Sequence, residues 1–247
     1  MKLVALEGNI GIGKSTLLRS LASDAHRGVV VVQEPVDEWR APVASAGGES
    51  VFSAYYKDSA RHAFMFQWFV CVSRVRALHA ALRSYRAAHD GADPDIVIME
   101  RCIHADREVF MKHLRDAGAI SALEMHVYDD IVSFMLERDG VLRPLDRPLD
   151  AIVYLRAQPE VAAERVLRRN REAEACAVDL DFLRALHDRH DSWLLPGSRA
   201  SATAESTLRP LPEHVIVVPT DDHVDNVDDW AAQIARDIVD DLRARLL

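Results

Sequence analysis

Near its start the chain reads Leu3-Val4-Ala5-Leu6-Glu7-Gly8-Asn9-Ile10-Gly11-Ile12-Gly13-Lys14-Ser15-Thr16-Leu17-Leu18. A short apolar run of strand length enters a glycine-rich turn, and an apolar-periodic helix pattern follows at once. Gly8 to Ser15 satisfy GxxxxGK[ST], and a strand before with a helix after is the context that separates a phosphate cradle from a chance turn. Glycines let backbone amides turn inward around a phosphate, and the helix starting near Lys14 aims its positive end at the same oxygens. Lys14 supplies a compact charge for the β- and γ-phosphates that an arginine does not reproduce. The chain holds four lysines against 26 arginines, and Lys14 is one of the four. Ser15 offers a hydroxyl to Mg²⁺. Gly8, Asn9, Ile10, Gly11, Ile12, Gly13, Lys14, Ser15 and Thr16 are therefore the candidate ATP-binding loop.

Outward from this loop, short Val- and Ile-rich runs recur at Leu3–Leu6, Val29–Val32, Ile96–Met99, Ala151–Leu155 and Val215–Val218. Helical patterns separate them at Lys14–Ser23, Ser59–Ala88, His104–Leu114, Ala119–Glu137, Pro159–Asn170, Asp179–Leu194 and Asn226–Leu247. Strands without polar alternation, separated by helices, predict an α/β fold: a five-stranded parallel sheet with helices on both faces. A length of 247 residues fits one domain, 1–247. Ala41–Ser50 and the Ser/Ala/Thr/Pro-rich stretch Pro196–Pro212 read as loops, the second long enough to be mobile.

Composition narrows the partners. The net charge of −9 disfavours a nucleic-acid groove, because phosphate backbones recruit basic surfaces. Arg165, Arg168, Arg169 and Arg171 form a local basic exception. The longest apolar run, Ala63–Val72, is short and carries Gln67, so no membrane span is expected. Cys71, Cys102 and Cys176 lie far apart with no CxxC spacing, which points to a reducing compartment, not to disulfides or a zinc site. No presequence pattern precedes the first strand, so the expected location is the cytoplasm.

The cradle identifies a phosphate donor and leaves the acceptor open. No NKxD-like guanine signature is present. After the second strand stand Glu34-Pro35-Val36 and Trp39, then Tyr56-Lys57-Asp58, Arg61, Phe64-Met65-Phe66-Gln67 and Ser73-Arg74. Glu100-Arg101-Cys102 follows the third strand, with Asp106 four residues beyond Cys102. Tyr154-Leu155-Arg156, Pro159-Glu160, the arginine-rich stretch, and Leu186-His187 to Ser192-Trp193-Leu194 complete the series. This ordered set resembles the deoxyribonucleoside kinase family, closest to its deoxycytidine and deoxyguanosine kinase branches, from Leu3 to about Thr220. The resemblance implies a P-loop kinase fold with an arginine-rich lid at about 165–177. The implied activity is transfer of the ATP γ-phosphate to a deoxynucleoside 5′-hydroxyl with Mg²⁺, in a protein that is commonly a homodimer built on long helices such as Ser59–Ala88 and Ala119–Glu137.

Taken residue by residue, the resemblance makes Glu34 the base for the 5′-hydroxyl, Glu100 with Ser15 the Mg²⁺ holders, and Arg101 a contact of the transferring phosphate. The family motif is Glu-Arg-Ser, so Cys102 departs from it. Arg165, Arg169 and Arg171 match lid arginines, whose charge suits the phosphates. Glu174 and Tyr56 match contacts of the sugar 3′-hydroxyl. Gln67 offers one donor and one acceptor to a base edge, and Trp39, Phe66 and Phe110 match the residues that flank it. Arg74 and Asp106 match positions facing the exocyclic edge of the base. A buried Asp106 carboxylate paired with Arg74 offers acceptors that suit the amino group of cytosine or adenine, whereas thymine presents a carbonyl to it. Arg74 could also donate to guanine O6. Tyr55 stands where the deoxycytidine branch has a slimmer Met, which narrows the pocket toward cytosine. His187 and His190 have no identifiable metal-binding partner and read as structural. A nucleoside monophosphate kinase, the rival enzyme, would show Asp-Arg where this chain has Glu100-Arg101 and a basic grip for the acceptor phosphate. A catalytically silent subunit, the rival without activity, does not need Lys14, Ser15, Glu34, Glu100 and Arg101 intact.

Overall fold

In the computed structural model, residues 1–23, 28–137, 149–168, 178–195, 211–221 and 226–247 are described. The strands are β1 (Lys2–Gly8), β2 (Val29–Val32), β3 (Ile96–Glu100), β4 (Ala151–Arg156) and β5 (His214–Pro219). They form one sheet in the order β2-β3-β1-β4-β5, every neighbouring pair parallel. The two-residue period of a strand sends alternate side chains into two cores. Leu3, Ala5, Val97, Met99, Ile152 and Tyr154 face one; Val4, Leu6, Ile96, Ile98, Ala151 and Val153 face the other. The first core is closed by α4 (Ser59–Ala88) and α7 (Ala122–Glu137), the second by α1 (Lys14–Ser23), α8 (Pro159–Arg168), α9 (Leu180–Leu194) and α10 (Val227–Leu246). The expected α/β sheet with helices on both faces is what the chain forms.

Strand order places the site. From central β1 the chain crosses to β2 at one edge, returns to β3 between them, then passes to β4 on the far side. Connections that leave in opposite directions open a crevice at the carboxyl ends of the strands. Gly8, Glu34 and Glu100 all stand at that end. Gly8 closes β1 at φ +140°, and a Cβ there would lie 2.3 Å from the Leu155 carbonyl oxygen. Only glycine lets the loop leave β1 so close to β4.

Several boundaries differ from expectation. β1 runs on to Gly8, past the apolar run, because its last residues still pair with β4. α7 starts at Ala122 and not at Ala119: the Ser121 hydroxyl accepts from Glu124 N at 3.2 Å while the Glu124 carboxylate accepts from Ser121 N at 2.7 Å, a reciprocal cap. Two short helices, α2 (Val36–Arg40) and α3 (Val51–Lys57), had no periodic signal, being too brief to show one. A capping box between Ser50 and Ser53 starts α3. The Ala41–Ser50 loop holds one 3₁₀ turn, Ala44–Ala46. The helix expected at His104–Leu114 is a composite of α5 (Ile103–Ala105), a π-helical stretch (Asp106–Met111) and α6 (Lys112–Asp116). Residues 169–177, with Arg169, Arg171 and Glu174, and most of the Pro196–Pro212 loop lie outside the described residues. Among those described, no helix is long and apolar enough to cross a membrane.

Candidate active site

The loop between β1 and α1 is held from two sides. Asn9 donates its side-chain amide to the Leu183 carbonyl in α9 at 2.8 Å, and its side-chain oxygen accepts from Ile10 N at 2.8 Å. At Gly11 (φ +85°) a Cβ would meet the Ala162 carbonyl oxygen of α8 at 2.7 Å. Lys14 is buried, and its Nζ donates to the carbonyl oxygens of Gly8 (3.1 Å) and Asn9 (2.7 Å). Burial, with the Arg101 charge second, pulls the Lys14 ammonium down to about 7. Ser15 Oγ donates to Glu100 Oε1 at 2.8 Å. Thr16 accepts from Arg19 on an exposed face.

Across the crevice lies a buried ionic array. Arg74, from α4, donates through Nη2 to Glu34 at 2.6 Å, through Nη1 to the Glu100 carbonyl at 2.8 Å, and through Nε to both Asp106 oxygens at 3.1 and 3.2 Å. Arg101 Nε lies 3.3 Å from the same Glu34 oxygen. Burial alone would raise the Glu34 carboxyl, but Arg74, Arg101 and Lys14 outweigh it and hold the group below the usual range. Burial wins at Asp106, whose carboxyl is raised in spite of Arg74. One arginine thus ties Glu34 to Asp106. The Arg74–Asp106 pair is the one expected from the sequence; the Glu34 end of the link, 40 positions from Arg74, was not legible there.

Beside the array is a cavity of about 260 Å³. Trp39, Tyr55, Tyr56, Phe66, Gln67, Arg74, Asp106 and Phe110 line it together with Glu34, Lys14, Ser15, Glu100 and Arg101, so the expected base and phosphate residues share one space. Trp39 meets Phe66 edge-on at 5.9 Å between centroids, its indole N–H held by the Ser73 hydroxyl at 2.8 Å. Tyr55 lies flat on Phe66 at 4.6 Å and 13°, and Phe52 closes the same apolar cluster. The π-helical stretch carries both Asp106 and Phe110 into the lining, consistent with such stretches recurring at functional sites. Gln67 is buried at 4% exposure.

At the far side Arg165 donates to the carbonyls of Thr220 (2.8 Å) and Ile12 (3.5 Å), against the phosphate loop. Arg168 pairs with Glu164 at the surface. Two further buried residues, not named as site residues from the sequence, adjoin Arg101. Glu7 is fully buried on β1, hidden in an apolar run, with Arg101 Nη1 at 3.8 Å. His190, read as structural, has Nε2 3.4 Å from the same Arg101 nitrogen. No group of His, Cys, Asp and Glu with metal-cluster geometry exists among the described residues.

Comparison with known proteins agrees with this geometry. The profile of the family described as deoxynucleoside kinase matches residues 4–240. A probable deoxycytidine kinase of fowlpox virus is 32% identical over 193 residues, covering 78% of this chain and 72% of its own. Mouse deoxycytidine kinase is 31% identical over 223 residues, 86% of this chain and 82% of its own. The mitochondrial thymidine kinase 2 of Macaca fascicularis is 29% identical over 225 residues, 91% and 72% of the two chains. A phosphate loop, a carboxylate–arginine array and an aromatic cavity, set at one sheet end and matched over nearly the whole length, place the chain in the deoxynucleoside kinase family, ATP-dependent phosphotransferases acting on deoxynucleosides.

Proposed function

We propose that the chain, acting as a single domain, phosphorylates deoxycytidine and purine deoxynucleosides in preference to thymidine. The observation that carries this reading is the chain Glu34–Arg74–Asp106 along one wall of an aromatic-lined cavity that opens onto the phosphate loop. In this reading Lys14 and the loop amides hold the ATP phosphates, and Arg165, with Arg169 and Arg171, adds charge from the lid. Ser15 and Glu100 present hard oxygen donors side by side at a helix N-terminus, a set that fits Mg²⁺ held partly through water. When bound there, the ion neutralises charge on the β- and γ-phosphate oxygens.

Glu34 orients the 5′-hydroxyl and takes its proton. A carboxylate held ionised by two arginines is a weak base, so its main service is aim; the proton is accepted late, as the phosphoryl group arrives. Arg101 faces the transferring phosphate. Tyr56 and Glu174 hold the 3′-hydroxyl. Gln67 pairs with the base edge, since an amide buried that far needs a partner or costs about 1–3 kcal/mol. Trp39, Phe66 and Phe110 flank the ring. Asp106 keeps acceptor capacity beyond its bonds to Arg74, which suits an exocyclic amino group. Thymine offers a carbonyl there, acceptor against acceptor. Tyr55 stacked on Phe66 narrows the space and favours cytosine within the preferred group. The Arg74→Met, Asp106→Ala double variant is expected to admit thymidine and to lose most deoxycytidine and purine turnover, read as kcat/KM on each nucleoside. Unchanged preference in that variant would remove both residues from base selection. Discrimination built on such hydrogen bonds reaches several orders of magnitude, about 10⁴–10⁵ at most.

The surface supports a homodimer. α7 exposes Leu123, Val127, Ile131 and Phe134, and α4 exposes Met65 and Val72. The α7 spacing draws one apolar stripe on a helix face, and such stripes mark interfaces. Ile131→Asp with Phe134→Glu is expected to shift sedimentation from dimer to monomer; a monomeric wild type would contradict the dimer. Net charge −9 argues against nucleic-acid partners, and no membrane partner is proposed. The buried free thiols Cys71 and Cys102 support a reducing, cytoplasmic setting.

A further inference from the structure

We propose that Glu7 is a positioning residue for phosphoryl transfer: with His190 it holds the Arg101 guanidinium from behind, leaving that arginine facing the transferring phosphate. The inference rests on the reading of Arg101 given above. Glu7 is 0% exposed in the central strand, and among the described residues its carboxylate oxygens have no nitrogen or hydroxyl donor, only the Cys102 thiol beside them; burial pushes its carboxyl up to about 7 against the pull of Arg101. A buried carboxylate in that condition costs stability.

The nearest cation to Glu7 is Arg101, whose Nη1 lies 3.8 Å from Glu7 Oε2. The same Nη1 lies 3.4 Å from His190 Nε2. His190 Nδ1 is 2.7 Å from the Leu186 carbonyl oxygen, so Nδ1 carries the proton and Nε2 is the acceptor. Burial, with the Arg101 charge second, keeps that imidazole neutral. The arginine is itself strained. Its backbone sits at φ +63°, a conformation that persists in a non-glycine residue only where surroundings over-determine it. Its N–H donates to the Leu6 carbonyl at 3.0 Å, and Phe110 lies under its guanidinium at 4.8 Å. On its open side Arg101 is drawn to Glu34 at 3.3 Å. Without the Glu7 charge, Glu34 becomes the one carboxylate of this set pulling on Arg101. The guanidinium then closes on the group that must meet the 5′-hydroxyl. Glu7 divides the attraction.

The test compares the full-length wild type with Glu7→Gln, Arg101→Ala and the double variant. Steady-state kinetics use ATP·Mg with whichever of the four deoxynucleosides is turned over best, and thermal unfolding is followed in parallel. Glu7→Gln keeps shape and loses the charge that Glu7 carries above about pH 7, so the assays are run at pH 8. It is expected to lower kcat about tenfold or more, with KM for nucleoside and ATP within about threefold and no fall in Tm. In the Arg101→Ala background, adding Glu7→Gln is expected to change kcat less than about twofold, because residues acting through one another are not additive. Glu7→Met, apolar and of similar length, should repeat the pattern. Wild-type kcat in Glu7→Gln beside an inactive Arg101→Ala overturns this inference and leaves Arg101 in its role. Wild-type kcat in Arg101→Ala removes both. A joint fall of kcat and Tm, an equal loss in both backgrounds, or failure of both Glu7 variants to fold assigns Glu7 to the scaffold and overturns the proposal.

Discussion

Replacing Glu34 by Gln is expected to lower kcat by roughly 10²–10⁴-fold, the worth of a positioned acid–base group, while nucleoside binding changes far less. The amide keeps the length and planarity of the carboxylate but cannot take a proton. It also strips a charge from Arg74 and Arg101, which meet one Glu34 oxygen at 2.6 and 3.3 Å. Both arginines keep other partners: Asp106 and the Glu100 carbonyl for Arg74, Glu7 and His190 for Arg101. The array should therefore stay assembled, and the loss should fall on kcat and not on KM. A variant that keeps more than about a tenth of wild-type kcat would remove Glu34 from the reacting centre.

Replacing Lys14 by Ala is expected to abolish turnover and leave the fold intact. The side chain is buried, yet its burial disfavours its own charge, and among the described residues its hydrogen bonds run to two loop carbonyls. Phosphate oxygens are stronger, charged acceptors for the same ammonium. The difference should appear as linkage: a ligand at 100 times its Kd stabilises the native state by about 2.7 kcal/mol. Calorimetry should show ATP·Mg raising Tm of the wild type and not of Lys14→Ala. Equal shifts in both would refute the assignment of Lys14 to ATP.

What could be read in the sequence follows how local each signal is. The phosphate loop is contiguous, and the strands announce themselves because β1, β3 and β4 are buried on both faces. The 30-residue α4 matched its pattern end to end, Asp58 capping it by accepting from Arg61 N at 3.1 Å. Helices α2 and α3 were lost because five and seven residues cover too few turns to show a period. The π-helical stretch was lost because one extra residue per turn leaves the composition unchanged. Candidate site residues named from motifs largely line one cavity, but the wiring among them is tertiary. Arg74 and Glu34 are joined across 40 positions, and Arg101 and His190 across 89. Glu7 was hidden because a single carboxylate in an apolar strand reads as the strand's end. His190 reads as structural in the sequence because its partner is an arginine 89 positions away, not a metal.

The pocket's preference for deoxycytidine and the purine deoxynucleosides over thymidine is tested most directly by the purified wild-type chain with ATP·Mg and four acceptors in parallel: deoxycytidine, deoxyadenosine, deoxyguanosine and thymidine. Thymidine monophosphate is the control for a kinase of monophosphates. The expected result is a higher kcat/KM for deoxycytidine and the purine deoxynucleosides than for thymidine, with the monophosphate inert. A kcat/KM for thymidine above all three others, or turnover of the monophosphate alone, would contradict it.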